Sequence, residues 1–237
     1  MLKSTVCLIK EPIESSKYLP VLYIAIITEN KKHFDIDKIK KKYKKKMSTK
    51  CKVILVGEAG VGKTCIIKQY LDNSFDPEEI PTIAGQEVYK ELTIENKSIK
   101  LTIWDTCGQE KFRSINKIFM QSSNIVILVY SITDKNSFDQ LNYWYNNVIK
   151  NIGNDIIIGI AANKCDLLED EKVHAQEGIN YAEKIGAVFK ETTATQHEAI
   201  EELFEELSRK FVQKKNINET GNILLNNTSS KIWKYCC

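Results

Sequence analysis

Gly57-Glu58-Ala59-Gly60-Val61-Gly62-Lys63-Thr64 decides how this chain folds. The stretch fits G-x-x-x-x-G-K-[ST], a loop shaped to hold phosphate. A short apolar run, Cys51 to Val56, leads in, and a helix-like run, Cys65 to Leu71, leads out. Strand, loop and helix in that order are the context the motif requires. Glycines at 57, 60 and 62 let the backbone curl, so that successive N–H groups point inward at phosphate oxygens. The helix N-terminus behind the loop adds partial positive charge. Lys63 can reach β- and γ-phosphates, and the Thr64 hydroxyl can ligate Mg²⁺. The competing reading is a Gly-rich strand–helix turn that binds nothing. It is disfavoured because four fixed positions seldom match by chance.

Downstream, Pro77 and Pro81 break the helix and leave a loop from Asp72 to Gly85. Two alternating strands follow, Gln86 to Glu95 and Ser98 to Trp104, joined as a hairpin at Glu95-Asn96-Lys97. The second ends at Asp105-Thr106-Cys107-Gly108-Gln109, where an acid opposite a phosphate loop suits Mg²⁺. Ile125 to Tyr130 is a continuous apolar run, the mark of a strand buried on both faces. A helix from Ser137 to Ile149 puts Phe138, Leu141, Tyr145, Val148 and Ile149 at core spacing. Strand Ile156 to Ala162 ends at Asn163-Lys164-Cys165-Asp166. The Asp166 carboxylate can accept two N–H bonds from guanine, which adenine does not offer on that edge. Helix Ala175 to Ile185 and a short strand, Ala187 to Phe189, lead to Glu191-Thr192-Thr193-Ala194. The last helix runs from about Glu198 to Val212, with Leu203, Phe204 and Leu207 facing the sheet.

Taken together, Gly57–Thr64, Thr82, Asp105–Gly108, Asn163–Asp166 and Thr193–Ala194 resemble the five guanine-nucleotide motifs of Ras-like small GTPases. Lys100 to Trp104, Trp104 to Phe112 and the terminal Cys236-Cys237 look like the Rab branch. The resemblance covers about residues 51–237 and implies an α/β fold: a six-stranded, mostly parallel sheet with helices on both faces. It implies a GTP/GDP switch that binds and slowly hydrolyses GTP and regulates vesicle trafficking. The phosphate set would be Gly57, Glu58, Ala59, Gly60, Val61, Gly62, Lys63, Thr64 and Cys65, with Thr82 and Gly108. Mg²⁺ would be held by Thr64, Thr82 and Asp105. Lys63 and Gln109 would be catalytic, Gln109 by orienting water. Phe75, Asn163, Lys164, Asp166, Thr193 and Ala194 would hold guanine. Implied partners are an exchange factor, a GTPase-activating protein, effectors and a prenyl-binding escort protein. With no arginine evidently placed in cis, hydrolysis should be slow, on the order of 10⁻⁴ s⁻¹. Loops 73–85 and 105–118 should order with GTP and loosen with GDP.

Some positions depart from the Rab pattern. Ile83-Ala84-Gly85-Gln86-Glu87 has an acid where Rabs usually carry an aromatic. Phe119-Met120-Gln121 replaces Tyr-Tyr-Arg, Ser131 a common Asp, Cys107 an Ala, and Thr195 a Lys. None removes a phosphate or Mg²⁺ group, so partner recognition is what they alter.

Residues 31–50 hold ten Lys against two Asp, so the rest of the chain is net acidic despite a formal charge of +3. Residues 1–50 read as a basic extension, either a solvated, disordered arm or a stretch upstream of a true start at Met47. Lys38 to Lys46 could meet anionic lipid, or nucleic acid without specificity. Seven cysteines without C-x-x-C spacing favour a reducing compartment. No run reaches the ~18 apolar residues of a membrane span. Residues 51–212 read as the GTPase domain and 213–237 as a polar, flexible tail. Cys236 and Cys237 resemble the Rab double-geranylgeranyl site, and two chains suffice for stable anchoring. The expected location is the cytoplasmic face of an endomembrane compartment, cycling with cytosol. Two other readings stand beside this one. A non-hydrolysing GTP-binding scaffold is opposed by Gln109, and an ATP-using P-loop enzyme is opposed by Asn163–Asp166.

Overall fold

The computed structural model describes residues 48–80, 82, 85–106 and 118–232, with side chains to residue 217. Six strands form one sheet in the order β2-β3-β1-β4-β5-β6. They are β1 (Thr49–Val56), β2 (Gln86–Ile94), β3 (Lys97–Asp105), β4 (Ile125–Ser131), β5 (Ile157–Asn163) and β6 (Val188–Glu191). Only the β2–β3 pair is antiparallel. The helices are α1 (Lys63–Asp72), α2 (Lys135–Asp139), α3 (Leu141–Ile152), α4 (Ala175–Ile185) and α5 (Glu198–Ile232). The expected fold class is therefore observed. Among the described residues no helix is long and apolar enough to cross a membrane.

β1 shows how the sequence builds two cores. Its side chains alternate with period two. Cys51, Val53 and Leu55 point to one face and meet Ile66, Tyr70, Leu203, Phe204 and Leu207 of α1 and α5. Ile54 and Val56 point to the other and join Leu141, Trp144 and Val148 of α3 and Ala182 of α4. β4 has all seven residues buried because helices cover both its faces. The hairpin is tight: Glu95 and Asn96 take φ of 50° and 63°, and Ile94 pairs with Lys97. Positive φ at both loop residues suits the twist of the two strands.

Three expectations need correction. The helix read as Ser137–Ile149 is two helices, α2 and α3. Asp134 caps α2 by accepting from the Asn136 N–H at 3.0 Å, so the helical turn begins two residues early. Gln140 then donates its N–H to Asn136 O, closing α2, while its own carbonyl opens α3 by accepting from Trp144. Secondly, the final helix does not stop at Val212; it continues to Ile232. Residues 213–232 contain no proline and only Gly221, so nothing in the backbone chemistry forces an end. Lys214 Nζ also fastens the helix to Asp155, 2.6 Å from its carbonyl oxygen and from its carboxylate. Thirdly, α1 begins at Lys63 rather than Cys65, within the loop motif itself.

Candidate functional site

The carboxyl ends of β1, β3, β4, β5 and β6 lie along one edge of the sheet, where open α/β sheets place their ligands. The loop leaving β1 is tightly seated there. Gly57 has φ 153°, and a methyl group on it would lie 2.1 Å from the Val129 carbonyl oxygen. Gly62 has φ 94°, and a methyl group there would sit 2.4 Å from Asn163 Nδ2. Only glycine fits both positions. Lys63 is buried and donates from Nζ to the carbonyls of Gly57 at 3.0 Å and Glu58 at 2.8 Å. The Glu58 carboxylate accepts from the Trp144 indole N–H at 3.0 Å, which ties the loop to α3.

Three oxygens from distant segments meet behind Lys63. The Thr64 and Thr82 hydroxyls are 2.7 Å apart, and both donate to Asp105 Oδ2, at 2.7 and 3.2 Å. The Thr106 hydroxyl donates to Leu55 O at 2.6 Å, fixing the end of β3 against β1. Among the described residues, Asp105 Oδ1 is buried with no hydrogen-bond partner. Burial pushes the Asp105 carboxyl above its ordinary range, against the pull of the Thr64 hydroxyl and the Lys63 charge.

At the other end, Asn163 clamps two loops together. Its Nδ2 donates to Val61 O at 2.7 Å, and its Oδ1 accepts from the Thr192 hydroxyl at 3.3 Å. Lys164 takes φ 65°, turning the chain so that Leu167 N–H returns to Lys164 O at 3.0 Å. Asp166 Oδ1 accepts from the Thr193 hydroxyl at 2.5 Å, and the Thr195 N–H donates to that hydroxyl at 3.2 Å.

Between the two ends lies a cavity of about 530 Å³. Its walls include Ala59, Gly60, Gly62, Lys63, Thr64 and Cys65 from the loop, Phe75 and Thr82, and Asn163, Lys164, Asp166, Thr193 and Ala194. Gly57, Glu58, Val61 and Asp105 are not among its lining residues. Gly108, Gln109, Cys236 and Cys237 lie outside the described residues. The sequence reading missed Asp76, Pro77, Glu79, Ile80, Thr106, Leu167 and Thr195, which also line the cavity. Thr106, Leu167 and Thr195 each adjoin a motif residue and could have been found by adjacency. Nothing local marks Glu79.

Residues 52–213 match the Ras family. The chain is 40% identical over 168 residues to Ras-related protein Rab-21 of Bos taurus, covering 71% of this chain and 76% of that one. It is 37% identical over 179 residues to Ras-related protein Rab-21 of Dictyostelium discoideum, covering 76% and 82%. Against GTP-binding protein ypt2 of Schizosaccharomyces pombe it is 33% identical over 203 residues, covering 81% and 100%. The chain belongs to the Rab branch of the Ras family. This Rab-type small GTPase binds guanine nucleotide, hydrolyses GTP to GDP and phosphate, and acts in membrane trafficking. The non-hydrolysing alternative is not favoured.

Proposed function

We propose that the cavity holds GDP or GTP with Mg²⁺ and that its residues divide the work by segment. The observation that carries this reading is the gathering of the phosphate loop, the Thr64–Thr82–Asp105 oxygens and Lys164–Asp166–Thr193 around one cavity. Loop amides and the Lys63 ammonium grip the β- and γ-phosphates. Thr64 and Thr82 would hold Mg²⁺, with Asp105 behind them. The fit rests on the buried, unsatisfied Asp105 Oδ1 and on an all-oxygen donor set, suited to a small hard cation. When bound, that ion neutralises charge on the phosphate oxygens. Asp166, held by the Thr193 hydroxyl, receives guanine N–H groups. Lys164 and Phe75 cover the base faces, and the Ala194 N–H meets its carbonyl oxygen. Asn163 acts by locking the loop to the base end.

From the sequence, the Gly108 N–H senses the γ-phosphate and Gln109 orients the attacking water. The two arginines of the chain are Arg113 and Arg209. Arg209 pairs with Glu205 on α5, away from the cavity. Arg113 lies outside the described residues, and among those described no arginine lines the cavity, so hydrolysis is slow and waits on an activating protein. Exchange factors, effectors and an escort protein complete the cycle. Geranylgeranyl groups on Cys236 and Cys237 anchor the chain to the cytoplasmic face of an endomembrane compartment.

Chromatography of nucleotide released from purified protein tests the site. GDP or GTP at near one per chain, displaced by GDP but not by ATP, is expected. Protein that takes up neither in the presence of Mg²⁺ would overturn the reading. Cys236→Ser/Cys237→Ser protein from prenylating cells should move from the detergent to the aqueous phase.

A further inference from the structure

The stretch from Asp72 to Ile80 carries four acids and no base, yet it walls a cavity assigned above to a polyanion. Unopposed, those carboxylates would repel the ligand and lift the loop away. The structure gives one of them a counterion. Lys68, five residues along α1 from Lys63, pairs through Nζ with the Glu79 carboxylate. The acid is the better shielded partner, 19% exposed against 44% for the lysine. Glu79 itself lines the cavity. The pair holds the Lys68 ammonium above its ordinary range, with Asp76 adding to the effect.

Backbone geometry turns this single contact into a hold on the whole loop. α1 ends at Asn73 in the left-handed region, φ 52°, with its N–H on Gln69 O at 3.1 Å. Asp76-Pro77-Glu78-Glu79 then forms a β-turn. Glu79 N–H donates to Asp76 O at 3.3 Å, Glu78 N–H donates to Asp76 Oδ1 at 2.9 Å, and Pro77 presets the second position. These two hydrogen bonds brace the turn, with Phe75 immediately before it and Thr82 three residues after it.

We propose that the Lys68–Glu79 pair is a latch that keeps this turn against the cavity and so sets how fast guanine nucleotide leaves. The proposal rests on the reading of the cavity as the nucleotide site. Both residues are positioning residues: Lys68 restrains the loop through Glu79 and cancels its charge. The two halves of the pair are therefore unequal. Losing Glu79 removes the tether and one repulsive charge together. Losing Lys68 removes the tether and leaves the charge.

The test is release of a fluorescent GDP from the full chain, chased with unlabelled GDP in Mg²⁺ and 0.1 M salt. Lys68→Met should release about fivefold faster than wild type, and Glu79→Gln about twofold faster. The double variant should release no faster than Glu79→Gln alone, so that neutralising the acid rescues loss of the lysine. Raising salt to 1 M should speed the wild type more than the double variant. Unchanged release in Lys68→Met would overturn the latch, as would a double variant showing the product of the single effects. If wild-type protein takes up no GDP, the nucleotide reading fails and the latch falls with it.

Discussion

Asp105 has one carboxylate oxygen shared by two threonine hydroxyls and a second, buried, that nothing among the described residues satisfies. Such an atom costs stability unless a ligand meets it. The sign follows from linkage. Burial raises the folded carboxyl above its unfolded value, so its contribution is fully present below the unfolded carboxylate range and is lost as pH rises through the folded pKa. At neutral pH the ionised group is a burden that a cation offsets. Asp105→Asn should therefore melt higher than wild type in chelator at pH 7, and the gap should close as pH falls toward the unfolded carboxylate range. With Mg²⁺ and GDP present the order should invert. Scanning calorimetry at pH 5 and 7 checks this, and identical melting in every condition would refute it. Asp105 was legible in the sequence because Asp105-Thr106-Cys107-Gly108-Gln109 as a whole closes a strand downstream of the phosphate loop. The Glu58–Trp144 bond was not, since its partners stand 86 residues apart and no local pattern joins them. Glu79 was missed because no local pattern marks it.

Elements were legible where burial imposes a period. β4 reads as a strand because both its faces are covered, and β3 because Ile99, Leu101 and Ile103 alternate inward. Ends were less legible, since caps depend on one side chain or on the absence of a breaker. The α2–α3 division turns on Asp134 and Gln140, and the length of α5 on the lack of proline after Val212. The α5 extension carries its own prediction. Among the described residues, Lys214 fastens it to Asp155, and Asn216 accepts from Lys97. The buried anchors Leu203, Phe204, Leu207 and Phe211 all come earlier. A chain ending at residue 217 keeps all the buried anchors named above and should keep its melting temperature to within about 2 °C. It should also lose helical ellipticity corresponding to residues 218–232. Equal ellipticity in the two chains would show that those residues do not add helix.

At the scale of the whole molecule, the cavity joins segments that the sheet alone holds only at a distance. β1 and β3 deliver the phosphate loop and Asp105, while β5 and β6 deliver Asn163, Asp166 and Thr193 from the far side of β4. A ligand gripping both ends bridges the two halves of the sheet, and it does so only in the folded state. Ligand at a hundred times its dissociation constant stabilises by about 2.7 kcal/mol. A kcal/mol moves the melting point of a domain this size by about 2–4 °C. Stripping nucleotide with chelator and phosphatase should thus lower the melting temperature by about 5–11 °C. Adding back GDP with Mg²⁺ should restore it, and ATP with Mg²⁺ should not. The purine discrimination separates a filled nucleotide site from general stabilisation by anions, because base selection is assigned in the proposal to the Asp166 end alone. Equal rescue by ATP would place the stabilising contacts on the phosphates alone and remove the role given to Asp166.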